Sequence, residues 1–391
     1  MLSIHNIREN PAQLDQSLNR RKMQPRSEEL LDLDKELRYM QQKIDSLRNN
    51  LNAQSANKPT PQQIEENKQI KNQINSLEQK YKQIQQQFQN LMLSLPNLVH
   101  ADVPDQEEVV KVVHAHSTIS TSATPTLTHD QMHGINKTAG TKIAGARFAV
   151  LEGKVAKLAR ALGFWLLEEN VKAGYQEISV PYLMNEQIAT GMGVLPKFAA
   201  DLFQTTTNHF LIPTGEGPLV GMFEGQKIMH LPQLFTTLTP CFRSEAGSAG
   251  RDTLGLIRLH QFSKVEIAGF VHAEQANQEL SKLVAHVEHL LTQLGLAYRI
   301  VAIGADDLGF QAHQKFDLEV WMPGMNRYLE ISSCSQCLDF QSRRLNIKTE
   351  NGLPHTINGS ALPIERTIAA ILENYQIGQD FAVPEVLKQF F

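Results

Sequence analysis

Cysteine is scarce in this chain: 391 residues hold only Cys241, Cys334 and Cys337. So small and odd a number excludes a disulfide framework and suits a reducing compartment. No apolar run approaches the ~20 residues that cross a bilayer. The opening MLSIHNIRENPAQ has no apolar signal core, and its acids do not suit a transit peptide. A cytoplasmic protein with no membrane partner is expected. Glycine is absent from the first 100 residues, and neither GxGxxG nor GxxxxGK[ST] occurs, so no Rossmann site or P-loop is indicated. Net charge is only −4, which argues against a surface coated in positive charge. With 41% hydrophobic and 20% charged residues the chain can bury a core, and its length suits two domains.

Composition shifts near residue 100. Before it, Leu37, Met40, Ile44, Leu47 and Leu51 are spaced 3, 4, 3, 4. Ile70, Ile74, Leu77, Tyr81, Ile84, Phe88, Leu91 and Leu95 keep the same rhythm. Each set is a helix seam with a and d positions filled. NAQSANKPTPQQ, with Pro59 and Pro61, separates them, and Pro96 stops the second. The expectation is an antiparallel two-helix coiled-coil arm. Residues 20–95 carry 13 basic and 9 acidic residues, against 24 and 32 in the rest. A positive arm on a negative protein suits a phosphate backbone, with Arg20, Arg21 and Lys22 at its base. A dimerisation coiled coil or a solvated helix face would look similar.

Residues 97–145 read as a connector. FAVLEGKVAKLARALGFWLLEENVKAG then reads as one helix ending at Gly174, as do EQANQELSKLVAHVEHLLTQLG and SALPIERTIAAILENYQ. YQEISVPYLMN, HFLIP, LTPCFRSE, RLHQFSKVEIAGF, YRIVAIG, FDLEVWMP and RYLEISSCS read as strands. The expected class is α+β: the arm in a domain of residues 1–105, then an antiparallel sheet flanked by helices in residues 106–391.

The most informative stretch is TPCFRSEAGSAGRDTLGLIRLHQFSKVE, residues 239–266. It reads strand, glycine-rich loop (Gly247, Gly250, Gly255 and the basic Arg251), strand. Positions 258, 260, 262, 264 and 266 alternate onto one face. Arg258, Phe262 and Glu266 can then share a cleft that combines a phosphate clamp, a flat ring and a carboxylate. A charged outer sheet face would explain the charges but not the glycines or the ring.

FRSEAGSAGRDTLGLIRLHQFSKVE resembles motif 2 of a class II aminoacyl-tRNA synthetase, in the form seen in bacterial-type seryl-tRNA synthetases. The resemblance covers nearly the whole chain. IPTGE (212–216) is similar to the family's serine-recognition TxE element. EISSCSQCLDFQSRR (330–344) matches its next signature, NGSALPIER (358–366) its motif 3, and SVPYLMN its motif 1, which lines a dimer interface.

The resemblance implies a serine-tRNA ligase. Such an enzyme activates L-serine with ATP and Mg²⁺, then transfers serine to tRNA(Ser), with tRNA(Sec) as a further acceptor. It implies a homodimer whose arm, about residues 27–95, grips tRNA. By the same resemblance Arg243, Arg366 and Glu330 are catalytic. Arg243, Ser244, Glu245, Arg258, Phe262, Glu330, Ile331, Ser332, Ser333 and Arg366 bind ATP. Phe262 stacks on adenine against the Arg366 side, and Glu330 with Ser333 holds Mg²⁺ through hard oxygens. Thr214, Gly215, Glu216, Arg243, Glu266, Asn358 and Ser360 bind serine, where buried partners for its hydroxyl would reject alanine.

Departures from the family pattern fall at Ala361, Pro363 and Glu365, where NGSGLAVGR is usual, at Leu254 for arginine, and at Gly215 for alanine in TAE. A methyl at 361 is expected to crowd the substrate pocket or stiffen its turn. Cys334–Ser335–Gln336–Cys337 lacks a second CxxC or CxxH, and the histidines, His286 and His289 included, read as surface residues. Two other readings remain open: an amino acid:carrier-protein ligase of the same superfamily, which lacks the arm, and an inactive tRNA-binding regulator.

Overall fold

The computed structural model describes residues 1–54, 60–114, 127–246 and 253–391. Pro59, Gly247, Gly250 and Arg251, singled out above, lie outside the described residues. The chain divides into two compact units, Met1–Leu98 and Val99–Phe391. This boundary precedes the expected 105/106, because residues 100–104 already belong to the second unit. His100 N–H donates to the His313 carbonyl (3.0 Å), and the Pro104 carbonyl accepts from Ala305 (2.8 Å).

The first unit is helical: α1 (Ile4–Glu9), α2 (Pro11–Arg20), α3 (Ser27–Gln54) and α4 (Pro61–Ser94). At 1.5 Å per residue α3 spans about 42 Å and α4 about 51 Å. Thr60 caps α4 in a capping box with Gln63, and Pro61 occupies its first turn, so the second helix has a sharply specified start. Met40, Ile44 and Ile74 of the seam are buried, and Arg48 reaches across to Glu78 at 2.7 Å. At the base, Leu14, Leu18 and Leu30 are buried, and Asp34 accepts from both Arg8 and Arg38. Arg21 is buried too, so the basic run at the base does not present three exposed cations.

The second unit opens with β1 (Glu108–Val113), β2 (Ile135–Asn136), α5 (Lys137–Ala144), β3 (Val150–Leu151) and α6 (Gly153–Lys172). Then follow β4 (Gln176–Glu177), β5 (Leu183–Met184), α7 (Glu186–Gly191), β6 (Phe210–Leu211) and α8 (Glu216–Gly221). The long strands β7 (Gln233–Phe242) and β8 (Gln261–Val271) precede α9 (Ala276–Gln293), β9 (Tyr298–Ala302), β10 (Gln314–Met322) and β11 (Arg327–Gln336). The chain closes with α10 (Phe340–Arg344), β12 (His355–Pro363), α11 (Ile364–Asn374), β13 (Gln376–Ile377) and β14 (Asp380–Phe381).

Eight strands form one sheet in the order β1-β9-β10-β11-β12-β8-β7-β4, antiparallel except where β4 runs parallel to β7. Three expectations change. Residues 97–145 are more than a connector, since β1 extends the sheet edge against β9. Val150–Leu151 pairs with Ile135–Asn136, so α6 starts at Gly153 rather than at the preceding FAVLE. Residues 360–363, read as helix, end β12 instead, because Ser360 and Pro363 pair with Glu266 and Lys264 of β8. YQEISVPYLMN contributes only the short β4 and β5 at its two ends.

Alternation along β8 sorts its side chains. Val265 and Ile267 join the core under α6, α9 and α11, while Lys264 and Glu266 face the opposite side. Farther along that side Ala268 and Phe270 pack with Val180, Leu219 and Leu345. The sheet therefore has one apolar face under helices and one face that is polar at its middle, walled by α7, α8 and α10.

Candidate active site

A cavity of about 160 Å³ opens over the ends of β7, β8, β11 and β12. Arg243, Glu245, Arg258, Phe262, Glu330, Ile331, Ser332, Ser360 and Arg366 all line it, as does Lys264, to which the sequence reading gave no role. Arg243 follows the end of β7 and Arg366 lies in the first turn of α11, so two elements far apart in sequence deliver guanidinium groups to one space. The Arg243 guanidinium lies over the Phe262 ring, 5.3 Å from its centroid. That cation–π contact fixes the ring face beside a positive group. Arg366 Nη1 donates to the Glu330 carbonyl at 2.6 Å and faces its carboxylate at 3.8 Å. Arg258 pairs with Glu245, whose backbone has φ +53°.

Glu330 is half-exposed. Its enclosure in the cleft raises its carboxyl, but Arg366, Lys315, Arg243 and Lys264 outweigh that and hold it below the usual range. On the neighbouring strand, Asp317 is buried beside Lys315 and pairs with Ser333. Burial pushes the Asp317 carboxyl up against the pull of Lys315. Ser333 does not line the cavity; its hydroxyl meets Asp317. The ionised Glu330 carboxylate is a hard oxygen donor and fits Mg²⁺, which keeps waters and shares substrate phosphates, whereas the Ser333 hydroxyl is turned to Asp317. Ser244 also departs from the expected lining. Its hydroxyl donates to the Ala200 carbonyl at 2.6 Å, tying the strand end to the turn at 199–201.

Beside this cavity lies a second, of about 380 Å³, lined by Thr214 and Pro213 and sharing Arg243, Glu245 and Arg258 with the first. Behind Thr214 is a buried polar cluster. Its hydroxyl donates to Glu266 and accepts from Lys264 Nζ at 3.0 Å, and Lys264 pairs with Glu266. Glu216, at the start of α8, is buried and accepts from Gln341 (2.7 Å) and Asn358 (2.8 Å). Burial pushes its carboxyl up to about 7, countered by Gln341 and reinforced by Glu266. Glu216 and Asn358 line neither cavity, unlike Thr214 and Ser360. Gly215 fits tightly there: a Cβ on it would stand 2.8 Å from Thr237 Cγ2 and 3.1 Å from Glu266 Cβ.

Ala361 does not crowd the pocket. Its methyl is fully buried in the apolar core on the far face, because alternation along β12 turns 361 away from Ser360. The three cysteines are buried and free, and burial raises the Cys334 thiol to about 12. Among the described residues no group of three or more His, Cys, Asp or Glu is placed to hold a metal. Among the described residues His129 and His286 depart from the surface reading. His129 is fully buried, with Nδ1 2.8 Å from Glu373 Oε1. His286 is partly buried against Asn170 (2.7 Å), and burial lowers it to about 4.

Residues 201–375 match the family model of the tRNA synthetase class II core domain (G, H, P, S and T), so the sheet and its cleft are a class II aminoacyl-tRNA synthetase core. Residues 1–99 match the seryl-tRNA synthetase N-terminal domain. The serine-tRNA ligase of Paramagnetospirillum magneticum is 38% identical over 414 residues, covering 100% of this chain and 98% of the relative. That of Thermodesulfovibrio yellowstonii is 40% identical over 418 residues, with the same coverage. The chain belongs to the seryl-tRNA synthetase family. Among solved structures it is similar to a seryl-tRNA synthetase from Pyrococcus horikoshii complexed with ATP, with TM-score 0.92 and 29% identity over 100% of this chain and 98% of that one. It is also similar to a cytoplasmic serine-tRNA ligase from Naegleria fowleri in complex with AMP, with TM-score 0.87 and 27% identity over 97% and 94%.

Proposed function

We propose that the protein is an ATP- and Mg²⁺-dependent serine-tRNA ligase that charges tRNA(Ser), with tRNA(Sec) as a second acceptor, and works as a cytoplasmic homodimer. The observation that carries the reading is the convergence of Arg243 and Arg366 on one cavity with Phe262 and Glu330. Two fixed cations, a ring and an ionised acid suit a nucleotide triphosphate folded over the sheet.

Serine would enter beside Thr214 and Ser360, its ammonium facing the acids Glu216 and Glu266. Its carboxylate oxygen attacks the α-phosphorus of ATP, and the bond to the β-phosphate oxygen breaks as pyrophosphate leaves. Arg243 would neutralise the α-phosphate and Arg366 the γ-phosphate. No covalent bond to the protein forms, so the side chains act by positioning and charge neutralisation. Glu330 would hold Mg²⁺, joined by Ser333 only once its hydroxyl turns from Asp317, and the ion would supply countercharge to the triphosphate. A ribose hydroxyl of the tRNA terminus then attacks the seryl carbonyl, and AMP departs. Residues 27–95 would grip the tRNA; their pair of long helices disfavours the carrier-protein ligase reading.

Serine-dependent exchange of labelled pyrophosphate into ATP tests the reading. Exchange with serine, and not with glycine or alanine, is expected. Exchange that prefers glycine or alanine would favour a carrier-protein ligase, and none with any amino acid an inactive regulator.

A further inference from the structure

Glu365 stands where the family usually has glycine, and the structure gives it a specific partner. The sheet ladder between β12 and β8 ends at the pair Pro363 and Lys264, after a register shift from Ser360. Ser263 lies one residue beyond that pair. Its other side faces Pro240 of β7, so its N–H points toward the space beyond the end of β12. No strand follows there, because the chain turns into α11 at Ile364. Glu365, in the first turn of α11, fills the gap: Ser263 N–H donates to its Oε2 at 2.7 Å. The carboxylate acts as one more rung of the ladder, supplied by a side chain.

Ser263 follows Phe262 directly, and Phe262 and Glu365 line the same cavity. Glu365 also lines a separate cavity of about 220 Å³ behind it, walled by Phe148, Val150 and Leu259. Its side chain thus lies between the two cavities. With glycine at 365, the Ser263 N–H would lose this acceptor where the ring-bearing end of β8 has run past β12 and is paired to β7 alone. An unmet buried donor is costly, and the backbone relaxes to avoid it.

We propose that Glu365 is a positioning residue for ATP: by holding the Ser263 amide it fixes the backbone that carries the Phe262 ring. The inference rests on the proposed function, since it assigns that ring to adenine. It also makes two departures from the family pattern one device. Pro363 ends the strand pairing, and Glu365 replaces the bond beyond it.

The test is pyrophosphate exchange with KM for ATP and for serine measured separately. Glu365→Ala is expected to raise the ATP KM about tenfold with the serine KM unchanged. Glu365→Gln keeps an oxygen acceptor for the amide and is expected to stay within about twofold of the parent. On a Phe262→Ala background, Glu365→Ala should add little, since the ring it positions is gone. An unchanged ATP KM in Glu365→Ala, or an equal rise with and without Phe262, would overturn the proposal. So would failure of Glu365→Gln to restore the ATP KM. If the parent protein exchanges no pyrophosphate with serine, the proposed function fails instead, and the two failures are told apart.

Discussion

Arg366 donates from both Nε and Nη2 to one acceptor, the Ile257 carbonyl oxygen, at 3.4 and 3.3 Å. Its Nη1 donates to the Glu330 carbonyl. Three of the five guanidinium N–H groups therefore hold the plane in place, and two remain for a ligand. Lysine offers a single point charge and cannot make this fork. Arg366→Lys is expected to lower kcat/KM for pyrophosphate exchange by roughly 100-fold or more. The melting temperature should stay near that of the parent, because the group is at the cavity surface. Activity within tenfold of the parent would remove Arg366 from the phosphate clamp.

Glu216 makes the chemistry depend on pH. Burial pushes its carboxyl up to about 7, above the usual glutamate range, so in the absence of serine the acid resists ionisation. An acid raised on folding contributes stability that is complete below about 4.5 and is lost as pH rises to about 7. Serine binding has the opposite sign, since its ammonium needs the ionised acid. The serine KM should then fall roughly tenfold between pH 6 and pH 8, with the ATP KM flat over the same range. Glu216→Gln should raise the serine KM and flatten its pH profile. A serine KM that does not change with pH in the parent protein would place Glu216 outside serine recognition.

His129 and Glu373 form a buried junction that ties four segments together. Leu256 N–H donates to His129 Nε2 at 3.1 Å, so that nitrogen is the acceptor and Nδ1 carries the hydrogen given to Glu373. Glu373 also accepts from the amides of His129 and Gly324. Gly255 packs on the same ring with φ +52°, where a Cβ would stand 2.2 Å from Nε2, so only glycine fits. His129→Ala leaves a buried carboxylate without its side-chain partner and is expected to cost about 3 kcal/mol of unfolding free energy. Urea unfolding measures this, and a loss below about 1 kcal/mol would show the junction relaxes without cost.

The two-helix rhythm of residues 37–95 and the alternation of Phe262, Lys264 and Glu266 were legible because period alone dictates which side chains share a face. The cavity lining at 243, 330 and 366 was legible only through ordered motifs, since these residues are far apart in sequence. What escaped depends on tertiary pairing. Residues 360–363 look helical but are strand, because β8 offers a ladder beside them. His129 sits in a stretch read as connector, and its partners Leu256 and Glu373 are over 120 residues away. Lys264 was visible on the active face, inside the motif 2 stretch, yet was given no role. Its role as the countercharge between Thr214 and Glu266 appears only when β8 is placed against the turn at 214.

The first unit folds its own base, with Asp34 held by Arg8 and Arg38 and with Leu14, Leu18 and Leu30 buried. The long stretches of α3 and α4 bury only a narrow seam, so their length does not serve the core of either unit. Arms of about 42 and 51 Å can follow a nucleic-acid backbone over more than one helical turn. Removing residues 27–95 with a short linker in their place is therefore expected to spare serine-dependent pyrophosphate exchange while aminoacylation of tRNA(Ser) falls by about 100-fold or more. Charging by the full protein should weaken steeply with added salt, and the residual charging of the shortened one should not. Parallel exchange and aminoacylation assays on one preparation decide the matter: charging that survived the deletion would deny the arm its role, whereas loss of exchange would show that the second unit needs the first to fold.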